Sequence, residues 1–170
     1  TTGTLTFTPI NWDTPQTVTV TGVDEDIVDG TITSAITLAI VDATSNDNFD
    51  AVADQTVSVD TTDDDVAGFT IVELDGSTEV DESGTTDTFT IVLDAQPTND
   101  VVVLATASND ETEATVSGSI TFTSENWDTP QTVTVTGVDD DLVDGDQTYD
   151  ITISIVDTIS DDEFDGVADQ

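Results

Sequence analysis

The sequence predicts an all-β protein built from tandem Ig-like β-sandwich modules. Three observations predict it: alternating runs rich in Val, Ile and Thr, turn residues every ten to fifteen positions between them, and a long internal repeat. Alternation of apolar and polar residues turns one side of a run to a core and the other to solvent, as in a sheet with one buried face. In Thr132 to Val138 (TVTVTGV) the valines point one way and the threonines the other. β-branched residues suit that pleated, half-buried surface. Helical periodicity is nowhere convincing.

The repeat sets the frame for every element. Thr6 to Gln55 returns as Thr121 to Gln170 at a constant offset of 115, and 35 of the 51 positions from Leu5 to Gln55 are identical to their counterparts. FTPINWDTPQTVTVTGVDEDIVDG returns as FTSENWDTPQTVTVTGVDDDLVDG, and NFDAVADQ as EFDGVADQ. Similarity over so long a period marks duplication of a whole module. The expected division is 1–65, the C-terminal half of one module, and 66–170, a second module lacking its last strand. That strand is expected to correspond to Thr56 to Asp65 (TVSVDTTDDD), a final strand with an acidic junction behind it. Two readings follow: a window of a longer array, or a subunit that borrows the missing strand from a neighbour in a strand-donating filament.

In the second module strands are expected near Gly68 to Leu74, Asp87 to Asp94, Val101 to Ser108, Thr115 to Thr123, Gln131 to Val138 and Thr148 to Val156. Seven strands, counting one after Gln170, fit an Ig-like sandwich. Trp12 and Trp127 each sit in NWDTPQ before a TVTVTGV strand, where Pro15 and Pro130 direct the chain, and both read as core plugs. Phe49 and Phe164 read as anchors pinning acidic loops to the core.

Charge decides which functions are open. There is no Lys, Arg or His against 38 Asp and Glu, so side-chain salt bridges are excluded. Two like unit charges about 4 Å apart cost about 1 kcal/mol even in water, so a compact state needs counter-ions. The same field repels nucleic-acid phosphates and anionic lipid headgroups. No apolar run approaches the roughly 20 residues that span a bilayer. With no Cys there are no disulfides or thiolate sites, and without His or Lys the usual activated nucleophiles are missing. A carboxylate pair of glycosidase type remains conceivable, but with so many carboxylates a suitable spacing carries no signal. The chain is expected not to be an enzyme.

The carboxylates gather in three kinds of place. Asp24, Glu25, Asp26 and Asp29 follow the TVTVTGV run in the first copy, and Asp139, Asp140, Asp141, Asp144 and Asp146 follow it in the second. Asp63, Asp64 and Asp65 form the junction. Asp47 and Asp50, with Asp161, Asp162, Glu163 and Asp165, lie in the loop before the last strand. Asp outnumbers Glu by 30 to 8, and short carboxylates on turns suit the six to eight oxygen ligands that Ca²⁺ takes, more than the water-retaining Mg²⁺.

These residues resemble the Calx-β family, calcium-binding domains of sodium–calcium exchangers that also abound in large bacterial surface proteins. The matching run is SGSITFTSENWDTPQTVTVTGVDDDLVDGDQTYDITI, Ser117 to Ile153, with VDES around Glu82 and the DDD of Asp63 to Asp65. The resemblance implies an Ig-like sandwich with Ca²⁺ clustered at one end. It implies as ligands Glu82, Asp110, Asp139, Asp140, the carbonyl of Leu142 and Asp144 in the second copy. In the first it implies Asp24, Glu25, the carbonyl of Ile27 and Asp29, completed by Asp63, Asp64 and Asp65. A further acidic position of the family falls on Gln147 and Ile32, which implies fewer or weaker sites. The function expected is a calcium-stabilised structural repeat of a bacterial extracellular adhesin, matrix protein or filament at the cell surface. Its partners would be neighbouring repeats and homotypic chains, with no nucleic acid and no membrane insertion. Calcium sensing and carbohydrate binding are the alternatives.

Overall fold

The structure, a computed structural model, describes residues 3–108, 113–143 and 145–170. It is all-β, with antiparallel sheets and a few single-turn 3-10 helices. None of its helices is long and apolar enough to cross a membrane among the described residues.

The first copy contributes a two-stranded sheet, β1 (Ile32–Leu38) against β2 (Gln55–Thr61), in a register running from Ile32 opposite Thr61 to Leu38 opposite Gln55. The second copy contributes two sheets. One has β3 (Phe69–Glu73), β4 (Thr86–Leu93), β8 (Gln131–Gly137) and β6 (Ala114–Val116) in the order β3-β4-β8-β6. The other has β5 (Val101–Ala107) between β7 (Ser119–Phe122) and β9 (Ile151–Ile155).

Period-2 patterning places the core. Phe89, Ile91 and Leu93 of β4, Val133 and Val135 of β8, Val101, Val103 and Ala105 of β5, and Ile153 and Ile155 of β9 are all buried in one apolar cluster with Phe69, Ala114, Phe122 and Phe164. Both sheets therefore feed a single core. Their alternating neighbours, such as Thr132 and Thr134, face outward, as the TVTV pattern requires.

Five of the six expected strands are found within a few residues of their expected bounds. The sixth, Thr115 to Thr123, is split. Gly118 adopts φ +83, a conformation that costs glycine little, and there the chain leaves β8 for β5. One expected run thus serves two sheets.

A larger difference lies in the first copy. Residues 11–24 are identical to 126–139, yet 15–25 form no strand, whereas Gln131–Gly137 is β8. Trp12 is 71 % exposed and Phe49 56 % exposed, while Trp127 packs against the core and Phe164 is fully buried. The reading of tryptophan and phenylalanine as core residues holds for the second copy and fails for the first. The difference is one of pairing: β8 lies between β4 and β6, whereas among the described residues 15–25 pair with no strand.

Candidate metal centre

The acidic loop of the first copy and the junction behind β2 are brought together in space. Asp63 is the clasp. Its Oδ2 accepts the backbone N–H groups of Asp29 at 3.0 Å and Gly30 at 2.8 Å, and its Oδ1 accepts that of Asp65 at 2.8 Å. Gly30, at φ +71, makes the turn that aims two consecutive N–H groups at one carboxylate oxygen. These donors, that of Asp65 foremost, hold the Asp63 carboxyl below the usual range.

Around the clasp the charges crowd. Partial desolvation, then Asp29, Asp63, Asp65 and Asp26, push the Glu25 carboxyl up. Desolvation, then Asp63, Asp64, Asp26 and Asp24, do the same to Asp65. A cavity of about 340 Å³ lies between them, with Asp24, Glu25, Asp29, Asp63, Asp64 and Asp65 on its wall. The donor set is oxygen only and uniformly anionic, which fits a hard divalent cation such as Ca²⁺. Among the described residues, however, no three carboxylates are already drawn together as a ligand set.

Asp26 and Ile27 face a different neighbour. The Gln96 N–H donates to the Asp26 carbonyl at 2.7 Å, and Ile27 forms an isolated parallel bridge with Gln96. The Gln96 N–H goes to the carbonyl of Asp26 and not to that of Ile27. Gln96 lies in the loop between β4 and β5, and its side chain donates to the Ser124 carbonyl at 2.9 Å. This loop therefore ties the acidic loop of the first copy to the second copy. Nothing in the sequence around Gln96 signals that role, because the contact joins segments about seventy residues apart.

In the second copy the turn that carries Glu82 and the segment before Asp139 to Asp141 meet at one end of the four-stranded sheet. The Gly137 N–H donates to the Thr85 carbonyl at 3.0 Å, and Val138 N–H to the Glu113 carbonyl at 2.8 Å, just before Asp139 to Asp141. Glu82 sits in the turn Asp81 to Gly84, closed by Gly84 N–H to the Asp81 carbonyl at 3.1 Å. Asp81 accepts from the backbone and hydroxyl of Ser83, and these bonds hold its carboxyl low. Asp140 accepts the Leu142 N–H at 2.7 Å, so Leu142 takes part through its donor, with its side chain exposed. Asp110 and Asp144 lie outside the described residues.

The third cluster has a structural role at Asp161. Its carboxylate, 3 % exposed, accepts the Thr98 hydroxyl at 2.7 Å and the Asn99 N–H at 2.6 Å on one oxygen. The other oxygen accepts the Glu163 N–H at 3.1 Å. Burial by itself would raise this carboxyl, but the hydrogen bonds from Thr98, Asn99 and Glu163 outweigh it and hold it low. Asp161 thus fastens the loop before β5 to the turn that carries Phe164. Its counterpart Asn46 keeps the equivalent local bond, from Asn48 N–H at 3.0 Å.

Asp161→Asn is expected to cost about 1 to 3 kcal/mol, since the amide keeps the Glu163 bond and turns a donor toward Thr98 and Asn99. Urea denaturation checks this. The linkage sign follows from the lowered pKa: the stabilisation is present above the ordinary carboxylate range and is lost as pH falls through the folded value. The deficit of the variant should therefore shrink in strong acid; a deficit constant with pH would show that the charge is irrelevant.

Comparison with family models and with curated proteins found no match for this chain.

Proposed function

We propose that the chain is a cation-stiffened structural segment of an extracellular surface protein or filament, formed from Calx-β-like modules of the Ig-like β-sandwich type. The observation that carries this reading is the meeting of Asp24, Glu25 and Asp29 with Asp63 to Asp65 at the place where the first copy joins the second. Five of these six carboxylates are free of the clasp role that Asp63 performs. When bound, Ca²⁺ would supply the positive charge that the composition lacks. Asp24, Glu25, Asp29, Asp64 and Asp65 would hold it, and Asp63 would keep loop and junction in register. The second set is Glu82 with Asp139, Asp140 and Asp141.

Stiffening follows from what the loop touches. Residues Asp24 to Gly30 are tied to the junction through Asp63 and to the second copy through Gln96. Neutralising the loop removes the repulsion that otherwise drives these segments apart. The two sheets sharing one core support the sandwich assignment. Absence of His, Cys and Lys supports a non-enzymatic role.

Small-angle scattering tests the reading. Ca²⁺ is expected to narrow the distribution of particle dimensions relative to chelated protein, and Gln96→Pro, which removes the donor to Asp26, is expected to blunt that narrowing. Identical scattering with Ca²⁺ and with chelator would sink it.

A further inference from the structure

We propose that Asp29–Gly30 is a latent modification site, where the Gly30 nitrogen closes on the Asp29 carboxyl to give a succinimide and then isoaspartate, and that Asp63 keeps it silent. The proposal rests on the clasp geometry alone and does not depend on the cation reading.

The chemistry needs no reactant other than water. The Gly30 amide nitrogen attacks Cγ of Asp29 and forms an N–Cγ bond, while the amide proton and the carboxyl hydroxyl leave together as water. A second water then opens the ring. Cleavage of the N–Cγ bond restores aspartate. Cleavage of the bond between that nitrogen and the Asp29 carbonyl carbon leaves the backbone running through Cβ and Cγ, one atom longer than before. A loop lengthened in this way no longer sets both N–H groups on one oxygen, so one opening of the clasp becomes permanent.

Asp followed by Gly is open to this reaction because no side chain on the second residue crowds the attacking nitrogen. The pair occurs at 29–30, 75–76, 144–145 and 165–166. Crowding does not protect the first of these: Asp29 and Gly30 are exposed, and a Cβ built on Gly30 meets nothing within 4 Å. Hydrogen bonding does. Asp63 Oδ2 accepts the N–H of Asp29 at 3.0 Å and that of Gly30 at 2.8 Å. Ring closure swings the Gly30 nitrogen toward Cγ by rotation about the Asp29 Cα–C bond. With the N–H groups on either side of that bond fixed on one anionic oxygen, the rotation breaks a charge-assisted hydrogen bond. Asp63 does not follow the movement, because it is half-buried and its other oxygen is held by the Asp65 N–H at 2.8 Å.

Asp165–Gly166 is the internal reference. Both residues are exposed, a Cβ on Gly166 meets nothing within 4 Å, and the Gly166 N–H makes no hydrogen bond among the described residues. It lies in the second copy, away from Asp63.

Peptide mapping with electron-transfer fragmentation, which distinguishes an isoaspartyl from an aspartyl backbone, tests this on the full chain aged in chelator at neutral pH. In Asp63→Ala, isoaspartate at Asp29 is expected to form at least about tenfold faster than in wild type, equivalent to ~1.4 kcal/mol of barrier and near the low end for a hydrogen bond to a charged group. Asp63→Asn, which keeps an uncharged acceptor, should fall between the two. The rate at Asp165 should be the same in all three chains; if Asp63→Ala disturbs the fold, that rate moves too, and Asp63→Asn carries the test. Equal rates at Asp29 in the wild type and the variants would overturn the proposal. So would slower rates in the variants, which would make Asp63 a base that assists the attack. Gln96→Pro loosens the loop from the second copy and leaves Asp63 in place. A rise at Asp29 as large as that in Asp63→Ala would also overturn the proposal, because loosening in general and not the clasp would then set the rate.

Discussion

Gly137→Ala is expected to be among the most damaging single substitutions in the chain, and the same change at its repeat counterpart, Gly22→Ala, close to silent. A Cβ built on Gly137 overlaps the Asp81 carbonyl oxygen and meets the Asp81 carbonyl carbon at 2.8 Å. Both are backbone atoms of a turn held by its own hydrogen bonds, so neither yields as a flexible side chain would. On Gly22 the nearest atom is the Thr61 methyl at 3.9 Å, an ordinary contact. Overpacking costs about 1 to 3 kcal/mol, and Gly137→Ala should lie at the upper end because β8 and the Glu82 turn must separate. For a domain of this size that corresponds to a fall in melting temperature of roughly 10 to 20 °C. Thermal scans of the two variants check it. Equal melting temperatures would mean that the turn does not press on β8.

Chelation is expected to have an effect of similar size. At about 10 mM Ca²⁺ and the affinities of extracellular calcium modules, about 10⁻⁴ to 10⁻³ M, each occupied site adds about 1.4 to 2.7 kcal/mol by mass action. Removing Ca²⁺ should lower the melting temperature by about 5 to 20 °C. The pH dependence carries a sign that distinguishes binding from general screening. Glu25 and Asp65 have raised pKa values in the folded, cation-free chain. Their unfavourable contribution is therefore fully present above the folded values and is relieved as pH falls through them toward the ordinary range. Chelated protein should gain melting temperature on acidification from neutral pH toward the ordinary carboxylate range. It should lose stability in stronger acid, where Asp63, Asp81 and Asp161, with lowered pKa values, become protonated. With Ca²⁺ present the trend from neutral to mildly acidic pH should reverse, because protons displace the metal. Coincident curves with and without Ca²⁺ would remove calcium from the account.

Much of this was legible in the residues. Alternation in Thr132 to Val138 marked β8 and its buried face, and five of the six expected strands appear within a few residues of their expected bounds. The acidic runs Asp24 to Asp29 and Asp63 to Asp65 stood out in the sequence, and the structure puts Asp24, Glu25, Asp29 and Asp63 to Asp65 on the wall of one cavity. Other features were hidden. The switch of sheets at Gly118 lies inside a run that reads as one strand, since a glycine there is equally compatible with an uninterrupted ladder. Asp161 reads as one more acidic loop residue; its partners Thr98 and Asn99 stand more than sixty positions away. Gln96 carries no local pattern at all.

The identical stretches 11–24 and 126–139 separate the two kinds of information. Local chemistry determined that each can be a strand with its valines on one side, that neither shows helical periodicity, and that the acidic segments behind them carry like charges that repel one another. Whether valine is buried, tryptophan packed and the strand formed was decided by the rest of the molecule. Strand hydrogen bonds and apolar contacts are made with residues distant in sequence, so the same side chains are core in the second copy beside β4 and β6 and surface in the first, where no described residue pairs with 15–25.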